Sequence, residues 1–253
     1  MFKNLKVTLV TLVLALGLGA GQAQAIPVDL ELSLLVDVSG SINATEFDLQ
    51  RTGYVNAFNN ASIVTAIGQG SIGAIAVNLI YWSSGNEQQQ AVGWTLINDT
   101  SSANAFATAI GNATRPFNDN TGPGSAINFA RPLFSNGFEG TRLVMDVSGD
   151  GEQNSGADTS DARDAAAAAG ITINGLVIGN ASLKTWYEQN VKTTDGFVDQ
   201  AADFNAFGIA INKKLVTEIG QEPGDPNPVP EPSSMLLLSS GIMGLFRLRK
   251  KVS

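Results

Sequence analysis

Apolar runs that fit strands alternate along this chain with stretches whose apolar positions recur at helical spacing. Residues 30–36 form a near-continuous apolar run that closes on Asp37, and a run of that length reads as a buried strand. Residues 46–59 carry helical spacing, with Asn43 or Thr45 placed to cap the first turn. Residues 72–82 (IGAIAVNLIYW) predict a second strand, and 89–97 its hairpin partner across Ser84-Gly85-Asn86. Helices are expected over 101–113 and 124–134, then a buried strand over 143–147. An alanine-rich helix over 159–169 ends at Gly170, where a left-handed cap favours glycine. A strand over 171–178, a short helix over 182–191, a short strand centred on 196–199 and an amphipathic helix over 204–219 complete the series.

Strands separated by helices predict an α/β fold: a doubly wound, mostly parallel sheet with helices on both faces, in a single domain over residues 26–220. In such sheets ligands sit outside the carboxyl ends of the strands, near the point where strand order reverses. The residues just after each strand are therefore the ones to inspect.

Composition limits the chemistry available there. The chain has 253 residues, 43% of them hydrophobic, enough for a sizeable core, and it contains neither histidine nor cysteine. Ser-His-Asp and Cys-His nucleophilic sites, zinc sites built on those residues, iron–sulfur clusters and disulfides are all excluded. Six of the 15 basic residues lie at the two ends, leaving nine against 23 acidic residues in the rest of the chain. A body that acidic repels a phosphate backbone, so no nucleic-acid partner is expected, and it suits cations.

Both ends read as addresses. Lys3 and Lys6, a short apolar run over 7–19 and Ala23-Gln24-Ala25 form the three parts of a signal peptide over residues 1–25, with cleavage expected near Ile26. An uncleaved anchor is the alternative, but the apolar run is short for a span. At the other end, residues 221–234 (QEPGDPNPVPEPSS) predict a stiff Pro-rich linker. Residues 235–253 form a short apolar segment closed by Arg247, Arg249, Lys250 and Lys251, a basic cluster expected to stay cytoplasmic. Val229-Pro230-Glu231-Pro232-Ser233, the apolar segment and the basic end together resemble the PEP-CTERM sorting signal. That resemblance implies a partner of the exosortase type, a transpeptidase-like membrane enzyme of Gram-negative bacteria. It also implies export across the inner membrane, transient anchoring, and a destination at the cell surface, outer envelope or matrix.

Three loops at strand ends carry the candidate chemistry. Asp37-Val38-Ser39-Gly40-Ser41 follows the first strand, Thr121-Gly122-Pro123-Gly124-Ser125 precedes a helix, and Ser148-Gly149-Asp150-Gly151 follows the strand over 143–147. Their carboxylates and hydroxyls are all hard oxygen donors. Such a set suits Mg²⁺ first, with Mn²⁺ or Ca²⁺ as alternatives.

The strand-DxSGS opening, the downstream threonine loop and the strand closing on Asp-Gly resemble the von Willebrand factor type A (vWA) domain, over roughly residues 29–219. The resemblance implies a metal-ion-dependent adhesion site (MIDAS) in which Asp37, Ser39 and Ser41 supply the first motif, Thr121 the threonine and Asp150 the second carboxylate. It further implies an adhesion or binding module without catalysis. A partner protein or acidic polymer would contribute a carboxylate to the ion. One departure is Asp146, four residues before Asp150 in Met-Asp-Val-Ser-Gly-Asp-Gly; it reads as a buried strand residue or an outer acceptor and is left out of the ligand set. The DVSGDG variant looks like an uncharacterised bacterial branch of the family.

Competing readings fit less well. Asp146-x-Ser148-x-Asp150-Gly151 mimics the start of an EF-hand loop, but position twelve would be Ala157 and a strand precedes it. A phosphatase-type Asp37 would want an acid where Ser39 stands. A metal-dependent hydrolase using the same ion would need a general base, and no histidine exists to serve. A matrix component with a merely structural ion is the third alternative. Trp82, Trp94 and Trp186 are expected to pack.

Overall fold

The computed structural model describes residues 25–221. The leader up to residue 24, the linker from residue 222 and the basic-ended tail lie outside the described residues.

Ile26–Val28 (β1) leads into Leu30–Asp37 (β2), whose eight residues are all buried. Ala44–Phe58 (α1) and Ala61–Gly68 (α2) follow, then the hairpin of Ile75–Trp82 (β3) and Gln88–Ile97 (β4). Thr100–Asn112 (α3), Pro123–Ala130 (α4) and a 3-10 turn at Arg131–Phe134 precede Phe138–Gly140 (β5) and Leu143–Gly149 (β6). The remaining elements are Thr159–Ala168 (α5), Ile171–Ile178 (β7), Ala181–Asn190 (α6), Val198–Ala201 (β8) and Phe204–Gly220 (α7).

Six strands form the main sheet in the order β4-β3-β2-β6-β7-β8. Only β4 runs antiparallel, paired with β3; β2 is flanked in parallel by β3 and β6. This is the expected α/β architecture, mostly parallel with helices on both faces. The chain winds outward from β2 through β3 to β4, then restarts on the other side of β2 at β6. The order therefore reverses between β2 and β6, where the crevice should lie.

A central strand must bury both faces, which explains the near-continuous apolar run in β2. Leu32, Leu34 and Val36 pack on one face under α1, α2, α3 and α7, together with Phe58, Phe106 and Phe207. Leu35 packs on the other with Ile80, Met145 and Val147, under α4, α5 and α6. Asn43 starts α1 as one of the two expected caps: its side chain accepts from Thr45 and Glu46 N–H, while Glu46 Oε2 accepts from Asn43 N–H at 2.8 Å. Such a reciprocal box satisfies donors that the first turn leaves orphaned.

Local differences from the sequence expectation have local causes. The strand foreseen from residue 72 begins at Ile75, because Gly73 turns the chain with φ +74°. The helix foreseen over 124–134 ends at Ala130 and tightens into the 3-10 turn at Pro132, which has no N–H to give. The three tryptophans pack as expected. Trp82 is buried; Trp94 Nε1 donates to Leu133 O at 2.8 Å and meets Phe134 edge-on; Trp186 stacks edge-on against Tyr187. Among the described residues no helix is long and apolar enough to cross a membrane.

Candidate metal centre

Strand β2 delivers Asp37, fully buried, to the crevice. Its Oδ1 accepts the Ser39 N–H at 2.8 Å, a tight turn that doubles the chain back. Gly40 is required in that turn: its N–H donates to Asp119 O at 2.6 Å, and a Cβ there would press to 2.9 Å from Asn118 O. Gln50, buried on α1, donates to Asp37 O at 3.2 Å. Arg115 Nη2 donates to Val38 O and Ser39 O, both at 2.8 Å, clamping the loop from the far side.

The threonine loop is fastened as firmly. Thr121 N–H donates to Asn154 Oδ1 at 2.8 Å, while Thr121 O accepts from the N–H groups of Asn154 and Ser155 at 3.0 and 3.1 Å. Gly122 N–H donates to Ser83 O at 2.8 Å. The three loops then meet through their side chains. Thr121 Oγ1 lies 3.4 Å from Ser39 Oγ, Ser39 Oγ lies 3.2 Å from Ser41 Oγ, and Ser41 Oγ donates to Asp150 Oδ1 at 2.6 Å. All five residues singled out from the sequence converge at one place, at the carboxyl ends of β2 and β6.

Electrostatics mark this spot as unbalanced. Burial pushes the Asp37 carboxyl up to about 7; Ser39 offsets part of that rise, and the Asp150 charge adds to it. Burial also raises Asp150, with the Ser41 hydroxyl opposing and Glu46 adding to the rise. Asp37 Oδ2 is buried without a hydrogen-bond partner, a costly condition for a carboxylate. Five oxygens, two of them acidic and one acidic oxygen unpartnered, fit a hard divalent cation. Among the described residues no group of three or more His, Cys, Asp or Glu side chains gathers for an ion; the two acids formally balance a divalent charge, and the three hydroxyls would add neutral donors.

Asp146 stands apart from this cluster. It alternates to the opposite face of β6, beneath α7, where Lys214 Nζ lies 2.7 Å from its Oδ1. Lys214 also bonds Glu218 Oε1, and all three side chains are fully buried. Gln50, Arg115, Asn154 and Tyr187 are parts of the site's surroundings that sequence reasoning missed. Only Gln50 left a signal, a polar residue on the apolar stripe of α1.

A family profile described as Protein of unknown function (DUF1194) matches residues 27–223. The chain belongs to this family. A second profile, the PEP-CTERM protein-sorting motif, matches residues 228–251. The motif implies that this DUF1194 protein is exported and recognised by an exosortase. No curated protein matches the chain.

Solved structures place the DUF1194 domain in the vWA fold. The proximal thread matrix protein 1 of the mussel byssus, with a zinc-occupied MIDAS motif, is 17% identical at a TM-score of 0.60, over 78% of this chain and 49% of that one. The von Willebrand factor type A protein from Catenulispora acidiphila is 15% identical at 0.56, over 78% and 44%. The pilus adhesin SpaC from Lactobacillus rhamnosus GG is 16% identical at 0.55, over 77% and 31%. At these identities the likeness is one of fold. The chain spans about half the length, or less, of these structures.

Proposed function

We propose that the protein is an exported, surface- or matrix-sorted module that binds its partner through a shared divalent cation. Asp37, Ser39, Ser41, Thr121 and Asp150 would hold the ion, Mg²⁺ first and Mn²⁺ or Ca²⁺ as alternatives. The bound cation supplies a fixed positive charge on which a carboxylate from a partner protein or acidic polymer completes the coordination. The observation that carries this reading is the convergence of five oxygens from three loops around a buried, unpartnered Asp37 Oδ2. The two carboxylates formally balance a divalent charge, but five protein oxygens fall one short of the six donors of an octahedral ion, which leaves a position for a carboxylate from outside. The fold neighbours named as a thread matrix protein and a pilus adhesin agree with binding rather than catalysis.

Residues 84–87, Ser125 and residues 155–157 line an open, polar groove beside this cluster. A Cβ on Gly122 would meet Gly85 N at 3.2 Å, so the groove adjoins the threonine loop. It offers a partner backbone a bed of small side chains next to the ion. The acidity of the chain (isoelectric point about 4.5 over its whole length) favours partners that flank their carboxylate with basic residues. Added salt should then slow association.

Titrating the purified protein with Mn²⁺ tests the site. Ion at about a hundred times its Kd should stabilise the fold by roughly 2.7 kcal/mol through mass action. Asp150→Ala should erase that rise while keeping the circular dichroism of the wild type; an unchanged rise would remove Asp150 from the site. Retention on an immobilised peptide carrying one glutamate between lysines should require the ion and vanish in EDTA. Metal-dependent turnover of a peptide, phosphoester or glycoside, lost in Asp37→Ala, would replace binding by hydrolysis.

Processing at both ends belongs to the same proposal, with residues 26–220 as the mature domain. Mass spectrometry of protein recovered from its native host should find an amino terminus at or near Ile26 and no peptide beyond residues 231–234. Recovery of intact residues 247–253 from the surface fraction would point to a simple anchor.

A further inference from the structure

Tyr187 is not among the five candidate ligands, yet its hydroxyl ends beside Asp37. It lies on α6, packed against the sheet face that carries Met145 and Val147, and it is fully buried. Two glycines make room for it. A Cβ on Gly175 of β7 would stand 3.0 Å from Tyr187 Cδ1. One on Gly149, at the end of β6, would stand 2.6 Å from Tyr187 Oη and 2.8 Å from Asp37 Oδ2. Gly175 pairs with Val147 and Gly149 with Val177, so both glycines lie on this same face of adjacent strands. Together they form a track without side chains, along which the phenol ring reaches the site.

Neither oxygen at the end of the track has a partner. Tyr187 Oη and Asp37 Oδ2 are both buried and without hydrogen bonds. Two atoms that each come within 3 Å of one point are separated by at most one water's span. Their chemistry is complementary, because a phenol donates and a carboxylate accepts. Packing explains the ring but leaves the hydroxyl unaccounted for: phenylalanine would fill the same track without a polar atom to desolvate.

We propose that Tyr187 is the positioning residue of the metal centre, its hydroxyl holding Asp37 Oδ2 across one water. The hold fixes which way the carboxylate presents its oxygens to the ion, and it rests on the cation reading given above. Donors behind a metal-ligating carboxylate commonly change affinity by about 10–100-fold when removed.

Tyr187→Phe keeps the ring and deletes only the hydroxyl. Calorimetric titration of the purified protein with Mn²⁺ should show about tenfold weaker binding in this variant, with the metal-free melting temperature unchanged or raised. Mg²⁺ added to the wild type should also perturb tyrosine absorbance in the near ultraviolet. That difference signal should persist in Tyr54→Phe and Tyr81→Phe, the other two tyrosines of the chain, and disappear in Tyr187→Phe. Equal Mn²⁺ affinity in wild type and Tyr187→Phe overturns the role of Tyr187 and leaves the metal site standing. A wild type that binds no Mn²⁺ overturns both. If Tyr187→Phe fails to fold, the other two variants decide: a signal that either of them abolishes, or its absence from a wild type that binds Mg²⁺, also overturns the proposal.

Discussion

Lys214→Met should cost the fold about 3–5 kcal/mol, and most of that loss should appear at neutral to alkaline pH. Lys214 Nζ sits between Asp146, at 2.7 Å, and Glu218, with all three side chains at 0% exposure. Its charge also faces the Phe197 ring at 5.2 Å. Burial alone would lower the lysine, but Asp146 and Glu218 outweigh it and hold it above its ordinary range. Burial raises both acids even with the lysine in place; at Asp146 the lysine is the chief opposing influence, and at Glu218 the Asp146 charge adds to the rise. Without the ammonium, two carboxylates share a dry pocket and must take up protons to stay folded.

The sign follows from that requirement. In the variant, the folded pKa values of Asp146 and Glu218 lie above the unfolded ones. The penalty is therefore fully present above the folded values and disappears below the unfolded ones. Thermal melts of Lys214→Met should fall short of wild type by roughly 10 °C at pH 8, on the scale of about 2–4 °C per kcal/mol for a domain of this size. The deficit should shrink towards pH 5. Replacing the whole group, by Asp146→Leu, Lys214→Met and Glu218→Gln, should restore most of the stability. No charge then remains in that pocket, and the amide oxygen introduced by Glu218→Gln can still accept from Asn174. A single variant that melts like the wild type at pH 8 would show that the pocket is wetter than its burial implies.

The same residues show where sequence reasoning stops. Strand β2 was legible because a strand buried on both faces must be apolar nearly throughout, and its end marked Asp37. The threonine loop and the Asp-Gly close of β6 were legible for a similar reason: small and turn-forming residues punctuate the ends of regular elements. Lys213-Lys214, by contrast, reads as a solvated pair on an amphipathic helix. Only the packing of α7 over β6 turns one of the two inward, onto Asp146. Strands β1 and β5 are three residues each and pair Ile26 with Phe138, far too short and distant to leave a period. Helix α2 is a separate eight-residue helix that starts one turn after α1 ends, capped by Asn60 accepting from Ser62 N–H at 3.0 Å. The track for Tyr187 needs glycines from two strands to fall on one face, a relation that exists only in the paired sheet.

Asp37→Asn should separate what the site does from what the fold needs. The substitution is isosteric, and the new amide oxygen can still accept the Ser39 N–H that Asp37 Oδ1 accepts at 2.8 Å. What disappears is the charge, which burial already disfavours strongly enough to push the carboxyl up to about 7. Because that folded value lies above the unfolded one, ionised Asp37 weakens the metal-free fold most above pH 7, and the cost fades as pH falls from about 7 to about 4. Metal-free Asp37→Asn should therefore be at least as stable as the wild type at pH 8, by an amount on the order of 1–3 kcal/mol, and match it near pH 4. Added Mn²⁺ should reverse the ranking. Wild type gains stability in proportion to ion occupancy, whereas the amide offers the cation no charge, so its affinity should fall by about 100-fold or more. A group that destabilises the empty protein and is needed by the filled one is the signature of a site kept for function. If Asp37→Asn instead kept the full Mn²⁺ response, the ion would be held elsewhere, and the buried carboxylate would need another reason to exist.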